Sequence, residues 1–295
     1  MPFVAADAIL GASTIRQITQ ASHRTGNEMR KGMTSGGATV SQVSGLKAEE
    51  VTTLTSGDVG VLAALNTNTF CSAGLYISAS TITVPGKNRD QGGLFKGSTN
   101  HSHLSGAAAL VIPTSWEVSQ DAEFATCQFE VHWVSSDGTT AGAVGSTGNA
   151  LAAQAFSAEF ALGPCYINTT LINGVQSFRV TPGITLTKSA SNGLYRPTHI
   201  SIQSVMPTME LVTNDLDAVA TTINAFTAMT SANFYMRKRA DSGVYSSAGS
   251  DCVRFTFAAG LTDANAVEAS DNNDGTVTIT LHGKTLTASA AVSIP

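Results

Sequence analysis

Charge is scarce in this chain. Asp, Glu, Lys and Arg make up 13% of its 295 residues, against about 25% in ordinary globular proteins. A surface so thinly charged associates if left bare. The composition therefore fits a Ser/Thr-rich β-protein, or a subunit whose surface is covered in an assembly. Positive charge is scarcer still, with 16 Lys and Arg against 21 Asp and Glu, for a net charge of −5. That excludes a protein whose main task is to grip nucleic acid, which needs basic patches. It leaves room for a surface past which DNA slips. There are four cysteines, Cys71, Cys127, Cys165 and Cys252, with no C-x-x-C pair among them. Their spacing suggests no metal site, and free thiols assembled in a reducing cytoplasm are the default reading. Cys127 is placed on the polar side of its strand and the others near strand edges. No apolar run approaches the roughly 20 residues that span a bilayer. Met1–Leu10 lacks the cationic start of a signal peptide, and Asp7 interrupts it.

Signatures of chemistry are also missing. There is no G-x-S-x-G elbow, Walker loop, G-x-G-x-x-G or H-E-x-x-H. His101-Ser102-His103 puts two imidazoles on one side of an extended chain, without an acidic or cysteine partner, and reads as a solvated loop. Asp271-Asn272-Asn273-Asp274-Gly275 has its glycine one place too early for a calcium loop and no closing glutamate, so it reads as a hairpin turn. Carboxylate pairs such as Glu49-Glu50 exist, but a glycosidase needs two carboxylates at one groove. Trp116 and Trp133 are read as core or interface fillers, ahead of a sugar-stacking site. No catalytic, cofactor-binding or metal residue is assigned, and no cofactor is expected.

What the chain does have is alternation. In His199–Ser204, Ile200 and Ile202 alternate with Ser201 and Gln203, the period of a half-buried strand. After Pro207-Thr208, Met209 and Leu211 alternate again. Thr213-Asn214-Asp215 then supplies a cap and negative charge for a helix start, and Leu216, Val219, Ala220, Ile223 and Phe226 share one helical face. Subtracting 157 pairs Leu211 with Leu54, Thr213 with Ser56, Asp215 with Asp58, Leu216 with Val59, Val219 with Leu62 and Ala220 with Ala63. Phe129, Val131 and Trp133 match Val277, Ile279 and Leu281 at 148. Lys87-Asn88-Arg89-Asp90 matches Arg237 to Asp241 at 150 to 151, and Ile18-Thr19 matches Ile184-Thr185. These collinear matches predict a mainly β chain of two tandem similar sandwich or open-barrel domains, each with one short flanking helix.

The expected divisions are an apolar arm over 1–13, read as a short helix docking on a neighbour, a first domain over 14–150 and a second over 151–295. The first holds a strand at Thr14–Ser22, a long polar hairpin loop at His23–Gly37, strands at Ala38–Val43 and Leu75–Val84, a loop at Gly86–Leu104, and strands at Ala107–Ile112 and Phe124–Val134. Ser135–Asn149, almost without large apolar residues, is taken as a linker. The second holds strands at Ala158–Gly163, Gly174–Val180, Gly183–Lys188, Asn233–Lys238, Cys252–Ala258, Ala264–Ala269 and Gly275–His282. The basic turns Lys87/Arg89 and Arg237/Lys238/Arg239 are either solvated hairpin tips or contacts to Asp58 and Asp215 of an adjacent subunit. His23, Arg24, Arg30 and Lys31 stand in the loop expected to reach the next layer of a stack.

Two β-units, each with one helix and a long early hairpin loop, together with TSGDVGVLAAL, YRPTHISIQSVMPTMEL and FYMRKRADSGVY, resemble the tail tube (major tail) proteins of long-tailed bacteriophages. The resemblance spans most of the chain. It implies a virion subunit, assembled in the host cytoplasm, that forms stacked rings around a DNA conduit. The usual ring has six single-domain subunits, so a duplicated subunit would complete it as a trimer with pseudo-sixfold symmetry. Implied partners are the chain itself, tape measure, tail terminator and baseplate proteins. DNA would pass without specific binding, and nothing enters a membrane. Competing readings are another virion part (baseplate hub, distal tail ring, tail terminator or decoration protein), a carbohydrate-binding adhesin module, and an enzyme.

Overall fold

Alternation along the chain is matched by alternation of burial. In Thr126–Trp133 the side chains of Cys127, Phe129, Val131 and Trp133 are buried, with Thr126, Gln128 and Glu130 between them partly exposed. Cys127 thus lies on the apolar face with Phe129, not on the polar side, because both are odd-numbered positions of one strand. The computed structural model describes residues 3–5, 7–32, 42–88, 101–122, 124–149, 159–215, 227–239, 242–270 and 273–295.

The first half contains β1 (Phe3–Ala5), β2 (Ala8–Leu10), β3 (Ser13–Ile15), β4 (Ile18–Arg24), β5 (Asn27–Gly32), β6 (Gln42–Ala48) and β7 (Val51–Ser56). Helices α1 (Val59–Asn68) and α2 (Phe70–Ala73) follow, then β8 (Leu75–Asn88), β9 (His101–Ser119), β10 (Thr126–Trp133) and β11 (Val144–Asn149). The second half contains β12 (Phe160–Ile167), β13 (Thr170–Ile172), β14 (Val175–Thr181), β15 (Ile184–Ser189), β16 (His199–Val205), β17 (Thr208–Thr213), β18 (Thr227–Lys238), β19 (Cys252–Ser270) and β20 (Asn273–Ala290). One large sheet runs β13-β12-β18-β19-β20-β17-β14-β9-β10-β7-β4, with β1, β2, β3, β8 and β11 joined to it off this path. The hairpins β5–β6 and β15–β16 stand as separate two-stranded sheets. Among the described residues all the strand pairs are antiparallel, and the chain is mainly β.

The pairings of the first half recur in the second at nearly constant displacements. Ala8↔Ile15 is answered by Cys165↔Ile172, and Phe3↔Asn88 by Phe160↔Lys238. The β4–β7 pairing shifts register between Ile18 and Gln20, and β14–β17 shifts between Val175 and Ser177. The β9–β10 irregularity lies at Gln128/Phe129, and that of β19–β20 at the facing pair Ala264/Ala266 opposite Ile279 and Thr278. Hairpin β5–β6 shifts at Glu28/Met29, and β15–β16 at Thr185/Leu186. The displacement is 157 for β1 to β7 (Ser13 to Thr170), 151 for β9 (Glu117 to Glu268), 150 for β10, and in β8 152 before the Ser78/Ile82 register shift (Leu75 to Thr227) and 150 after it (Asn88 to Lys238).

These registers correct two sequence matches. Leu54 faces Phe129 as Leu211 faces Ile279, so Phe129 corresponds to Ile279, two residues beyond the match made by pattern. Ile18 of β4 corresponds to Val175 of β14, while Ile184 corresponds to Asn27. The slip of two at Phe129 is invisible in the pattern, because a shift of two returns every side chain to the same face.

Other expectations fail for physical reasons. Residues 3–5, 8–10 and 13–15 are not a helical arm. They form β1, β2 and β3 and pair within the chain, burying Ala8, Leu10 and Ile15. The loop expected at His23–Gly37 is largely strand: His23 and Arg24 end β4, and 27–32 form β5, with 33–41 outside the described residues. The loop expected at Gly86–Leu104 gives way at both ends to β8 and β9, so His101 and His103 belong to a strand. Ser135–Asn149 is no free linker. Asp137 Oδ1 accepts the N–H groups of Thr139 and Thr140 at 2.8 and 2.7 Å, and β11 pairs with β9. Gly142 and Gly106 meet backbone to backbone beside Trp133, where a Cβ on Gly106 would lie 2.2 Å from Gly142 O. The helix expected over Leu216–Phe226 lies outside the described residues.

A single buried cluster runs through both halves, from Ile15, Leu54 and Phe129 to Phe178, Phe255 and Ile279. The Trp116 ring sits 5.1 Å from that of Phe255, and Phe178 packs against Phe234 and Phe255. Such ring pairs add about 0.5–1.5 kcal/mol each beyond area burial. Helix α1 turns Val59, Leu62, Ala63 and Leu65 inward and packs over β20.

Candidate subunit-contact surface

The expected capping residues build a turn that occurs twice. Ser56 Oγ donates to Arg16 O at 2.6 Å and accepts from Asp58 N at 2.9 Å, while Arg16 N donates to Asp58 Oδ2 at 3.0 Å. Thr213 Oγ1 donates to Asn173 O at 2.7 Å and accepts from Asp215 N at 3.0 Å, while Asn173 N donates to Asp215 Oδ2 at 3.1 Å. Gly57 N bonds Gln17 O, and Asn214 N bonds Gly174 O, each at 3.1 Å. Gln17 and Gly174 both adopt left-handed φ, +50° and +59°. Each carboxylate thus ties the end of one strand to the start of another. Asp58 is buried and makes no side-chain cap to α1. Its carboxylate is bonded inside its own chain. Asp215 is only partly exposed.

Arg237, Lys238 and Arg239 have partners within the chain. The Arg237 guanidinium lies 4.2 Å from the Tyr245 ring centre, and that of Arg239 lies 6.0 Å away. Lys238 Nζ is 3.0 Å from Asp251 Oδ1 and stands over Phe160. Arg237 and Lys238 belong to β18, not to a turn, and Lys87 belongs to β8. Arg89 lies outside the described residues. His23 Nδ1 is 2.9 Å from Thr52 Oγ1, and burial pulls its pKa down against the pull of Glu50. Arg30 and Lys31 stand in β5.

The contact that the sequence left unassigned lies at Glu49-Glu50, where hairpin β15–β16 crosses the first half. Lys188 Nζ is 3.0 Å from Glu49 Oε2, and Lys47 holds the other oxygen. Arg196 pairs with Glu50, whose Oε2 also accepts Ala143 N at 2.9 Å. Ala48 N bonds Tyr195 O, Ser135 N bonds Pro197 O, and Tyr195 Oη donates to Thr139 O. Beneath them Ile184, Leu186, Ile200 and Ile202 pack on Leu110, Ile112 and Val134. The sequence signal was faint. In a chain so poor in charge, two adjacent glutamates flanked by Lys47 were the only cue.

Beside this hairpin, β14 continues the sheet onto β9, from Ser177↔Ser119 to Val180↔Trp116, with Arg179 Nε 3.1 Å from Glu117 Oε1. The two halves are therefore joined by a strand edge, a hairpin clasp and a shared core.

An open groove of about 720 Å³ is lined by Val61, Tyr76, Phe160 and Lys238 among others, without a pair of facing carboxylates. Among the described residues no cluster of His, Cys, Asp or Glu could hold a metal. The four cysteines are free and buried. Trp116 and Trp133 are buried too, with Trp133 Nε1 donating to Thr52 Oγ1 at 2.8 Å. Neither offers a ring face to a sugar. No described helix is long and apolar enough to cross a membrane. No protein-family model matches the chain, and no curated protein matches it.

Proposed function

We propose that the chain is a structural subunit built from two tandem β-units, beginning at Phe3 and Phe160, that self-assembles into stacked rings. The carrying observation is the recurrence of strand registers, register shifts and the Ser56/Asp58 turn at matched positions of the two halves. Two units joined by a strand edge resemble two neighbours in a ring, and repeating that junction between chains closes a circle. Three such chains give six units. The proposed product is the hollow tail tube of a long-tailed bacteriophage, with DNA passing through its lumen and the virion as its location. A net charge of −5 suits a conduit to which DNA does not adhere. The ends of the stack would meet tape measure, terminator and baseplate proteins.

Native mass measurement and electron microscopy of concentrated purified protein test this. Trimeric rings with six-part outline, stacking into tubes, are expected. A chain that stays monomeric at high concentration overturns the proposal. Copy number per virion separates a tube, present in tens of rings, from a terminator, hub or decoration protein present in few.

A further inference from the structure

We propose that one chain docks on the next through the outer edge of β4 and the β5–β6 hairpin, which sit on β19 of a second copy as β14 and β15–β16 sit on β9 within one chain. The inference rests on the two-unit, self-assembling reading above and adds the surface and the register.

The register follows from the internal junction. β14 meets β9 at Ser177↔Ser119, Phe178↔Val118, Arg179↔Glu117 and Val180↔Trp116. The residues at matched positions of the other half are Gln20, Ala21, Ser22 and His23 in β4, and Ser270, Ala269, Glu268 and Val267 in β19. Pairing β4 with β19 gives Gln20↔Ser270, Ala21↔Ala269, Ser22↔Glu268 and His23↔Val267. Among the described residues, β4 ends the large sheet. Among the described residues the pairing of β18 along β19 runs as far as Thr227↔Thr262, and that of β8 along β9 as far as Leu75↔Val111. In the first half β14 occupies the edge beyond that point. In the second half no described strand does. Among the described residues each copy therefore presents one strand edge to give and one to receive, and unpaired edges are what an assembly covers.

The hairpin supplies a second, independent observation. Leu186 of β15 packs above Leu110, which is 4% exposed. Their counterparts are Met29, 65% exposed, and Leu261, 46% exposed. Glu49, clasped by Lys188, corresponds to Met206, 67% exposed. Ile202 corresponds to Gly45, where a Cβ would meet nothing within 4 Å. Apolar side chains stand bare on the donor hairpin and on the receiving face, at positions whose counterparts are covered inside the chain. A second copy is the partner that carries both surfaces. The contact is head-to-tail, so it propagates until it closes.

The test is a cysteine pair, Ser22→Cys with Glu268→Cys in one chain. Directly opposed strand positions lie within disulfide reach, and the native thiols are buried. Oxidation of the assembled protein is expected to give covalent dimers and trimers on a non-reducing gel, and each single variant none. In the unmodified protein, amide exchange at 20–23 and 267–270 is expected to slow at least tenfold on assembly. This second measurement decides the matter if the paired variant does not fold. Rings that form without cross-links and without that protection overturn the interface while leaving self-assembly standing. A chain that never associates removes both.

Discussion

Glu50 and Arg196, 146 residues apart in the chain, form an ion pair in which the carboxylate is 6% exposed. The same carboxylate accepts the Ala143 N–H, so one glutamate fastens the β15–β16 hairpin and the Ser135–Asn149 segment together. Removing one member leaves the other buried without its partner, which costs about 3–5 kcal/mol. Glu50→Gln and Arg196→Met are each expected to lower the unfolding free energy by that order, measured as a drop in the denaturant midpoint at unchanged m. The double variant Glu50→Leu/Arg196→Met is expected to lose less than the sum of the two, because no lone charge remains.

Acid should loosen the same clasp at Glu49. Burial acts to raise its carboxyl pKa, but hydrogen bonds from Lys47 and Lys188 outweigh burial and hold it below the ordinary value of 4.5. A folded pKa below the unfolded one means stability that is complete above the unfolded value and lost as pH falls through the folded one. Stability is therefore expected to decline as pH drops below about 4.5. Glu49→Gln is expected to flatten that decline. Thermal unfolding midpoints of both proteins between pH 3 and pH 6 measure the difference.

Gly106 should tolerate no side chain. A Cβ there would stand 2.2 Å from Gly142 O and 2.7 Å from the Trp133 ring, whereas one on Gly145 would meet nothing within 4 Å. Overpacking of a tight site costs about 1–3 kcal/mol or more. Gly106→Ala is expected to lose at least that much, and Gly145→Ala to change stability by less than about 0.5 kcal/mol. Urea unfolding of the two variants side by side checks the contrast.

The legible parts of this chain are those where apolar and polar residues contrast. Phe129 to Trp133, Ile200 to Ile202 and Met209 to Leu211 alternate strongly, and each lies in the strand expected of it. Strand ends rich in Ser, Thr, Ala and Gly were missed, as in β9 from His101 and β20 beyond His282. There the side chains differ too little for a period to stand out. The early residues misled for a related reason: strands of three residues are too short to display one. Asp58 reads from the sequence as the negative charge at a helix start, and its bond to Arg16 N, 42 residues away, is not legible from its neighbours.

The sequence by itself determined the class of structure, since strand periodicity is local and written in successive side chains. It also carried the echo between Leu54-Ser56-Asp58 and Leu211-Thr213-Asp215, because one turn needs the same few side chains wherever it is built. The tertiary structure alone decided which strand lies beside which, that β14 closes onto β9, and that Lys188 and Arg196 reach Glu49 and Glu50. Those choices depend on residues far apart in the chain, whose meeting is set by burying a shared core and satisfying backbone groups, and no local pattern records them.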